Sequence, residues 1–463
     1  MKKSLLLAGV LAAHGAAGAP PGGGVAAAPP TASAEVFGAA IGAVLEWRVE
    51  RARSDDLAQT AELYRRFVFS EDTRGKLMLV FGDEHPFEMS SRPVGKGASR
   101  LDFRLPARDY RAPNGSTLRW TEWRSTTLGD RNGARRHSSG ALAALDGSAD
   151  GLLLAGRDLR FGAEETRGAN GLWYGAQRWR LAELTIRQAA ATPANANANA
   201  NANANANAAT NAATTTPAAV MSVAPNGTMR LRGLEFASGL ARSGRTSALT
   251  AGWSVDAVDF AAESIRNVKL SLRLTNLDTA TLVELNQQIK RAANSGASLD
   301  QRAEAMLLLA KQHGMRLLRR GAMLELDELS AIHGGQRLLL KGRFTFAEVA
   351  DADLALPLRL LGKLVARVDV RLPSSMAESL ARRVARRQLT ANAGGAPGSA
   401  AELEAAERDA AQAMLARLVG SGYVHVEDQE LRSSITFQHG QLRANGKVVP
   451  LPGLDVLLGG GGR

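Results

Sequence analysis

The feature that most constrains this chain is a run of alternating residues between Gly321 and Pro373. Leu324 and Leu326 alternate with Glu325 and Asp327, Leu338 and Leu340 with Leu339 and Lys341, and the pattern continues through Phe344 and Phe346. Leu364, Ala366, Val368, Val370 and Leu372 then alternate with Val365, Arg367, Asp369 and Arg371. Successive side chains of a strand point to opposite faces, so a period of two means one face against a core and the other in water. Such alternation marks an antiparallel sheet, because parallel strands are covered on both faces and read as continuous apolar runs. The stretch reads as three strands followed by the start of a helix.

Similar signals fill the rest of the chain. Val36 to Arg66 has helical spacing, with Val36, Phe37, Ile41, Val44, Leu45 and Val49 near one face, and a shorter helical piece covers Leu57 to Tyr64. Phe67 to Phe69 and Leu77 to Phe81 read as strands. From Arg100 to Ile186, short strands are separated by the turn pairs Asn114-Gly115, Gly129-Asp130, Asn132-Gly133, Asp146-Gly147 and Asp150-Gly151. Strands resume at Met229, and Val268, Leu270, Leu272 and Leu274 alternate again. Thr279 to Ala293 reads as a helix. A second helix opens at Ser298-x-x-Gln301 and stops at Gly314. Two more open at Ser375-x-x-Glu378 and Ser399-x-x-Glu402, the latter ending at Gly420. Closing strands cover Tyr423 to Val426, Ser433 to Phe437 and Gln441 to Val449, with Asn445-Gly446 as a hairpin turn. The expected class is α+β: a large antiparallel, twisted meander with an N-terminal helix and several C-terminal helices packed on it.

Composition limits the chemistry. Hydrophobic residues make up 45% of the 463 residues and aromatics only 5%, so the core is mostly Leu, Val and Ala. The absence of cysteine removes disulfides, thiolate metal sites, a cysteine nucleophile and a lipid-modified cysteine anchor. The net charge of +12 suits an anionic partner surface or, more plainly, a spread of solvated arginines.

Met1-Lys2-Lys3 precedes an apolar run from Leu5 to Ala13, about half the length a bilayer span needs. A charged start, a short apolar run and the small-x-small site Ala32-Ser33-Ala34 read as a secretory signal peptide over residues 1–34, which makes nucleic acid an unsuitable partner. Residues 35–188 then form an N-terminal helix with antiparallel strands. Asn and Ala alternate from Asn195 to Asn207, and nothing in residues 189–219 is large enough to bury, so this Asn/Ala/Thr-rich segment reads as a disordered insertion. Residues 220–463 form a C-terminal α+β portion that shares the sheet with residues 35–188.

Several motifs resemble one family. Gly440-Gln441-Leu442 and Asn445-Gly446-Lys447, with Leu451 after them, are similar to the C-terminal signature of the YdgA-like family of Gram-negative envelope proteins, which carry a domain of unknown function. Val368-Asp369-Val370-Arg371-Leu372-Pro373 resembles that family's strand entering a helix, and Leu172 to Ile186 its strand before the middle sheet. Tyr64-Arg65-Arg66-Phe67-Val68-Phe69-Ser70 is similar to its Tyr-x-Arg-Gly-Val-Phe-Ser segment, with Phe67 where the family has Gly. The resemblance implies a periplasmic body behind an uncleaved inner-membrane anchor. The short apolar run here departs from the anchor, and the resemblance names no catalytic residue.

Candidate chemistry is sparse. Gly239-x-x-x-x-Gly244-Arg245-Thr246 comes near a phosphate-binding loop but lacks its lysine, and Trp253-Ser254-Val255 beyond it reads as a strand. Asp83-Glu84-His85 could be acid/base machinery or a solvated turn, and His425-Val426-Glu427 an edge pair. The seven histidines show no metal spacing, and no Gly-x-Ser-x-Gly elbow appears. Arg382, Arg383, Arg386 and Arg387 share one broad side of a helix, with Leu380 and Val384 on another. They are a candidate contact for anionic headgroups, or else partners for Glu402, Glu404, Glu407 and Asp409 on the next helix. The expected function is a non-enzymatic, exported protein of the periplasm or cell envelope, without cofactor or metal. It binds a membrane lipid, another apolar ligand or an envelope protein at the inner membrane. The alternatives are a structural interaction module without ligand, and an envelope hydrolase with dispersed acidic residues.

Overall fold

A computed structural model describes residues 31–51, 57–95, 97–130, 133–149, 151–188, 227–260, 263–293, 299–350, 353, 357–392 and 400–450. Residues 1–30 of the expected signal peptide, the expected insertion at 189–219, and Ser298, Ser399 and Leu451 lie outside the described residues. The described strands form a large antiparallel sheet of 18 strands that is not closed. Two compact units divide the chain, and each takes segments from both sides of residues 189–219.

The first unit begins with helices α1 (Ala32–Arg51), α2 (Leu57–Arg66) and α3 (Glu71–Phe81). Strands β1 (Glu88–Pro93), β2 (Ser99–Leu105), β3 (Arg108–Arg111), β4 (Thr117–Trp120), β5 (Trp123–Gly129) and β6 (Arg135–Ala149) follow. The pairing runs β1–β2–β5–β6, with β4 also on β6 and β3 on β4. Small residues on α1 allow close packing: Ala32, Ala39 and Ala43 are buried together with Val36 and Trp47. They join Tyr64, Phe69, Phe81, Phe87, Tyr110 and Trp120 in one core cluster. Tyr110 donates to the Glu35 carboxylate at 2.5 Å, and burial, with Glu35 beside it, pushes the Tyr110 phenol up to about 12.

Three sequence expectations fail in this unit. Leu77 to Phe81 is the last turn and a half of α3, not a strand. Phe67 to Phe69 is a link without strand pairing. The local reason is capping. Ser70 accepts from the Thr73 amide at the helix start, and Gly82, at φ +67, donates its amide to the Met78 carbonyl at the end. Asp146-Gly147 is no turn either, since both lie inside β6 opposite Arg119 and Leu118. A Cβ on Gly147 would come within 3.2 Å of the Leu118 side chain, so glycine serves close cross-strand approach here.

Five long strands contribute to both units: β7 (Leu152–Arg167), β8 (Trp173–Gln188), β9 (Thr228–Ser243), β10 (Thr246–Phe260) and β11 (Glu263–Asp278). The second unit continues with α4 (Thr279–Ala293), α5 (Leu299–Arg319), β12 (Met323–His333), β13 (Gln336–Phe346), α6 (Pro357–Lys363) and β14 (Leu364–Pro373). It closes with α7 (Ser374–Asn392), α8 (Ala400–Gly420), β15 (His425–Glu427), β16 (Glu430–Gln438), β17 (Gln441–Ala444) and β18 (Lys447–Val449). Strands β11, β12, β13, β14, β16, β17 and β18 pair in that order, and β15 pairs with β16. The helix expected to stop at Gly314 continues to Arg319. His313 and Leu317 are buried on consecutive turns and hold it in, and the stop comes at Gly321. There the Ala322 amide reaches the Leu317 carbonyl and the Gly321 amide the Leu318 carbonyl, a glycine cap at φ +81.

Candidate functional site

In the second unit the alternating strands line up their apolar residues in register. Leu272, Leu326, Gly342, Val368, Ile435 and Ala444 face one another in sequence across β11, β12, β13, β14, β16 and β17. Residues directly opposite on neighbouring antiparallel strands share a face, so this is one continuous row. A second row runs Leu274, Leu324, Phe344, Ala366, Phe437 and Leu442, and a third runs Leu270, Leu329, Leu340, Val370 and Ser433. At about 4.8 Å between strands, six strands give an apolar face about 24 Å wide.

The third row depends on an irregularity that the plain alternation hides. Between Leu326 and Leu329 the register with β13 shifts by one residue. Without this bulge Leu329 would turn to the opposite face. The sequence signal is the Leu326-Asp327-Glu328-Leu329 break in period, which a strict period-two reading passes over. Gly342, at the centre, leaves room for its neighbours: a Cβ there would lie 3.2 Å from the Phe344 ring and 3.3 Å from the Val368 side chain.

This face is mostly half-buried. Ala444 is buried and Leu324 is 38% exposed, while every other residue of the three rows is half-buried. In the first unit, by contrast, Leu101 of β2 is fully buried with Leu57 and Ala61 of α2.

The opposite face of the same strands is charged and internally paired. Arg273 bonds Asp327 at 2.9 Å, Arg343 bonds Glu325 at 3.1 Å, and Lys269 and Arg337 bond Glu328 at 2.7 and 2.5 Å. Pairs this exposed contribute about 0–1 kcal/mol each, so they make the face wettable more than they hold it together. Lys269, Ser330 and Arg337 together pull the Glu328 carboxyl down to about 2 from 4.5. A carboxyl depressed in the folded state stabilises fully above its unfolded value and loses that contribution as pH falls. The stability gap between the native chain and Glu328→Gln is therefore expected to stay constant above about pH 4.5 and to shrink toward pH 2. Urea midpoints across that range check it. A gap that widens on acidification would contradict the assignment.

The four candidate arginines sit on α7, and the structure separates their roles. Arg386 forms a two-point bond with Glu407 of α8, at 2.5 and 2.9 Å. Glu407 is buried, and the Arg386 guanidinium holds its carboxyl below the usual range. Both residues stand at similar distances from the link between the helices, so α7 and α8 form an antiparallel pair, as their opposite charges suggest. The buried stripe of α7 is Ala377, Ala381 and Ala385. Leu380 and Val384 are exposed, and so are Arg382, Arg383 and Arg387.

The remaining candidates are not brought together. Gly244, at φ +60, lies in the tight turn between β9 and β10, and a strand follows it where a phosphate-binding loop needs a helix. The His85 amide donates to Asp83 at 2.8 Å, the His85 ring meets the Phe67 carbonyl at 2.7 Å, and Glu84 faces Arg74. His425 is exposed on β15, and Glu427 bonds Arg432. Among the described residues no three His, Asp or Glu side chains are grouped to hold a metal ion.

Asn445, Gly446 and Lys447, part of the signature behind the family resemblance, build the C-terminal hairpin turn. The Asn445 side chain accepts from the Ser434 amide at 2.8 Å and donates to the Tyr423 carbonyl at 3.0 Å, and Lys447 donates to the Ser421 carbonyl. Asn445 and Gly446 both have positive φ, as the expected hairpin turn requires.

An α+β chain with a large, open antiparallel sheet is thus defined. The family described as a bacterial protein of unknown function (DUF945) matches residues 64–452, and the chain belongs to that family. No curated protein and no solved structure matches it.

Proposed function

We propose that the protein is a non-enzymatic, exported component of the Gram-negative cell envelope, YdgA-like, whose apolar sheet face holds the hydrocarbon chain of a lipid. The observation that carries this reading is the half-buried, six-strand apolar face set against a charged, ion-paired opposite face. A sheet that simply needed a core would bury those rows, whereas an extended chain laid across them would complete their burial at roughly 25 cal/mol per Å² of apolar surface covered. The width of about 24 Å exceeds the roughly 15 Å reach of one bilayer leaflet's chains, so one chain fits across the strands. Export is supported by the charged start, the short apolar run and the Ala32-Ser33-Ala34 site. Cleavage after Ala34 would trim the first turn of α1, including the buried Ala32, and leave Glu35, the Tyr110 partner, as the first residue of the mature chain.

The test is mass spectrometry of the full chain purified from a Gram-negative host. Lipid is expected to accompany the native protein and the Lys341→Gln variant of the charged face. It is expected to be lost from a Val368→Thr, Ile435→Thr double variant, which keeps strand-forming residues while placing hydroxyls in the central row. Native protein free of lipid, or equal retention by the double variant, would refute the reading. The same preparations give the N-terminus, expected at Glu35. An uncut chain starting at Met1 in the cytosolic fraction would exclude export.

A further inference from the structure

We infer that α5 pairs antiparallel with α5 of a second copy of this chain, making a homodimer. The helix leaves two large aliphatic side chains in water: Leu307 and Leu308 stand 72% and 64% exposed. Glu304 and Lys311 are exposed on the same side. At about 100° per residue, positions 304, 307, 308 and 311 fall within an arc of about 100°, so the four side chains form one stripe. The other side of α5 is already committed. His313 is buried and hydrogen-bonds Gln288 of α4 at 3.0 Å, Arg316 bonds Glu284 at 2.7 Å, and Leu317 packs with Leu277 and Ala322. These contacts hold the stripe facing away from the core.

The order of residues along the stripe fits one partner. Glu304, Leu307, Leu308 and Lys311 read acid, apolar, apolar, base, symmetric about the point between the two leucines. A twofold axis through that point lays Glu304 of one copy against Lys311 of the other and Leu307 against Leu308, and does so twice. A parallel pairing would instead set Glu304 on Glu304 and Lys311 on Lys311. Neither the Glu304 nor the Lys311 side chain forms an ion pair or hydrogen bond with another described residue, so both are available across the axis. An anionic membrane is a poor occupant, because the stripe carries no net charge and its carboxylate would be repelled. The contact is small against the roughly 1,200 Å² of stable interfaces, so the dimer is expected to be reversible, with a dissociation constant in the micromolar range. None of these residues belongs to the three apolar rows, so the pairing stands apart from the lipid reading.

The experiment is sedimentation equilibrium of the full chain over about 1 to 300 µM protein. A monomer–dimer equilibrium is expected. Leu307→Ser with Leu308→Ser should lower the association constant about 100-fold, about tenfold for each leucine at the centre of the contact. Glu304→Lys alone, or Lys311→Glu alone, sets like charges together across the axis and should weaken association about tenfold, less so at high salt. Glu304→Lys with Lys311→Glu restores opposite charges and should recover the native constant. An equimolar mixture of the two single variants should form a mixed dimer more readily than either forms its own. All four positions are exposed, and circular dichroism checks that each variant is folded. The Val368→Thr, Ile435→Thr variant should dimerise as the native chain does, which separates this contact from the sheet face. A chain that stays monomeric throughout, a dimer indifferent to the serine variant, or a double charge reversal that associates no better than the single ones would overturn the proposal.

Discussion

Phe69→Ala is expected to destabilise the first unit by about 3–5 kcal/mol, the range for truncating a large buried aromatic residue. Phe69 is only 2% exposed, and its ring lies 4.9 Å from Phe67, 5.6 Å from His85 and 6.2 Å from Tyr64. Edge-to-face contacts of this kind add to the apolar area lost. The neighbouring Val68 is 71% exposed, so Val68→Ala should change stability by less than about 0.5 kcal/mol. Denaturant unfolding of the full chain, followed by tryptophan emission, compares the two, because Trp47 stands 5.6 Å from Phe67 in the same cluster. Similar losses for both variants would mean that the segment does something other than pack. The result bears on the family motif directly. Tyr64 and Phe69 are core residues and Ser70 is a helix cap, so these residues of the motif serve the fold.

The sheet was legible in the sequence, and the chemistry of its two faces largely so, because period-two alternation fixes which residues share a face once the register is set. What could not be read was the register itself. That Leu272, Leu326, Gly342, Val368 and Ile435 stand in one row follows from pairings between strands far apart in the chain and from the bulge at Asp327-Glu328. The arginine helix shows another limit. Helical spacing gave the angles of Arg382, Arg383, Arg386 and Arg387 but not the inward direction, and alanines give a weak inward signal beside Leu380 and Val384. Leu77 to Phe81 reads as a strand because an apolar run of five residues fits a strand or a helix end equally well. The caps that decide it, Ser70 and Gly82, flank the run at unequal distances.

Glu46→Ala is expected to cost about 3 kcal/mol, for a reason that no short stretch of sequence displays. Glu46 is a buried carboxylate of α1 that accepts from the Ser70 amide at 2.8 Å, the Ser70 hydroxyl at 2.5 Å and the Thr73 hydroxyl at 2.5 Å. Its charge lies at the N-terminus of α3, where the helix dipole favours an anion. Ser70 accepts from the Thr73 amide at 3.4 Å, so the carboxylate acts by holding the capping Ser70 in place. Removing it leaves the buried Thr73 hydroxyl and the Ser70 amide without their acceptor, and each such loss costs about 1–3 kcal/mol. Glu46→Gln keeps one acceptor oxygen and should cost about half as much. Because α3 is held to α1 through this one side chain as well as by packing, hydrogen exchange offers a finer readout. Amides of the first turn of α3 are expected to lose protection in Glu46→Ala before those of β2 and β5 do. Uniform loss across the unit would show that Glu46 supports the whole core, whereas unchanged protection at Thr73 and Arg74 would show that the carboxylate does not hold the Ser70 cap.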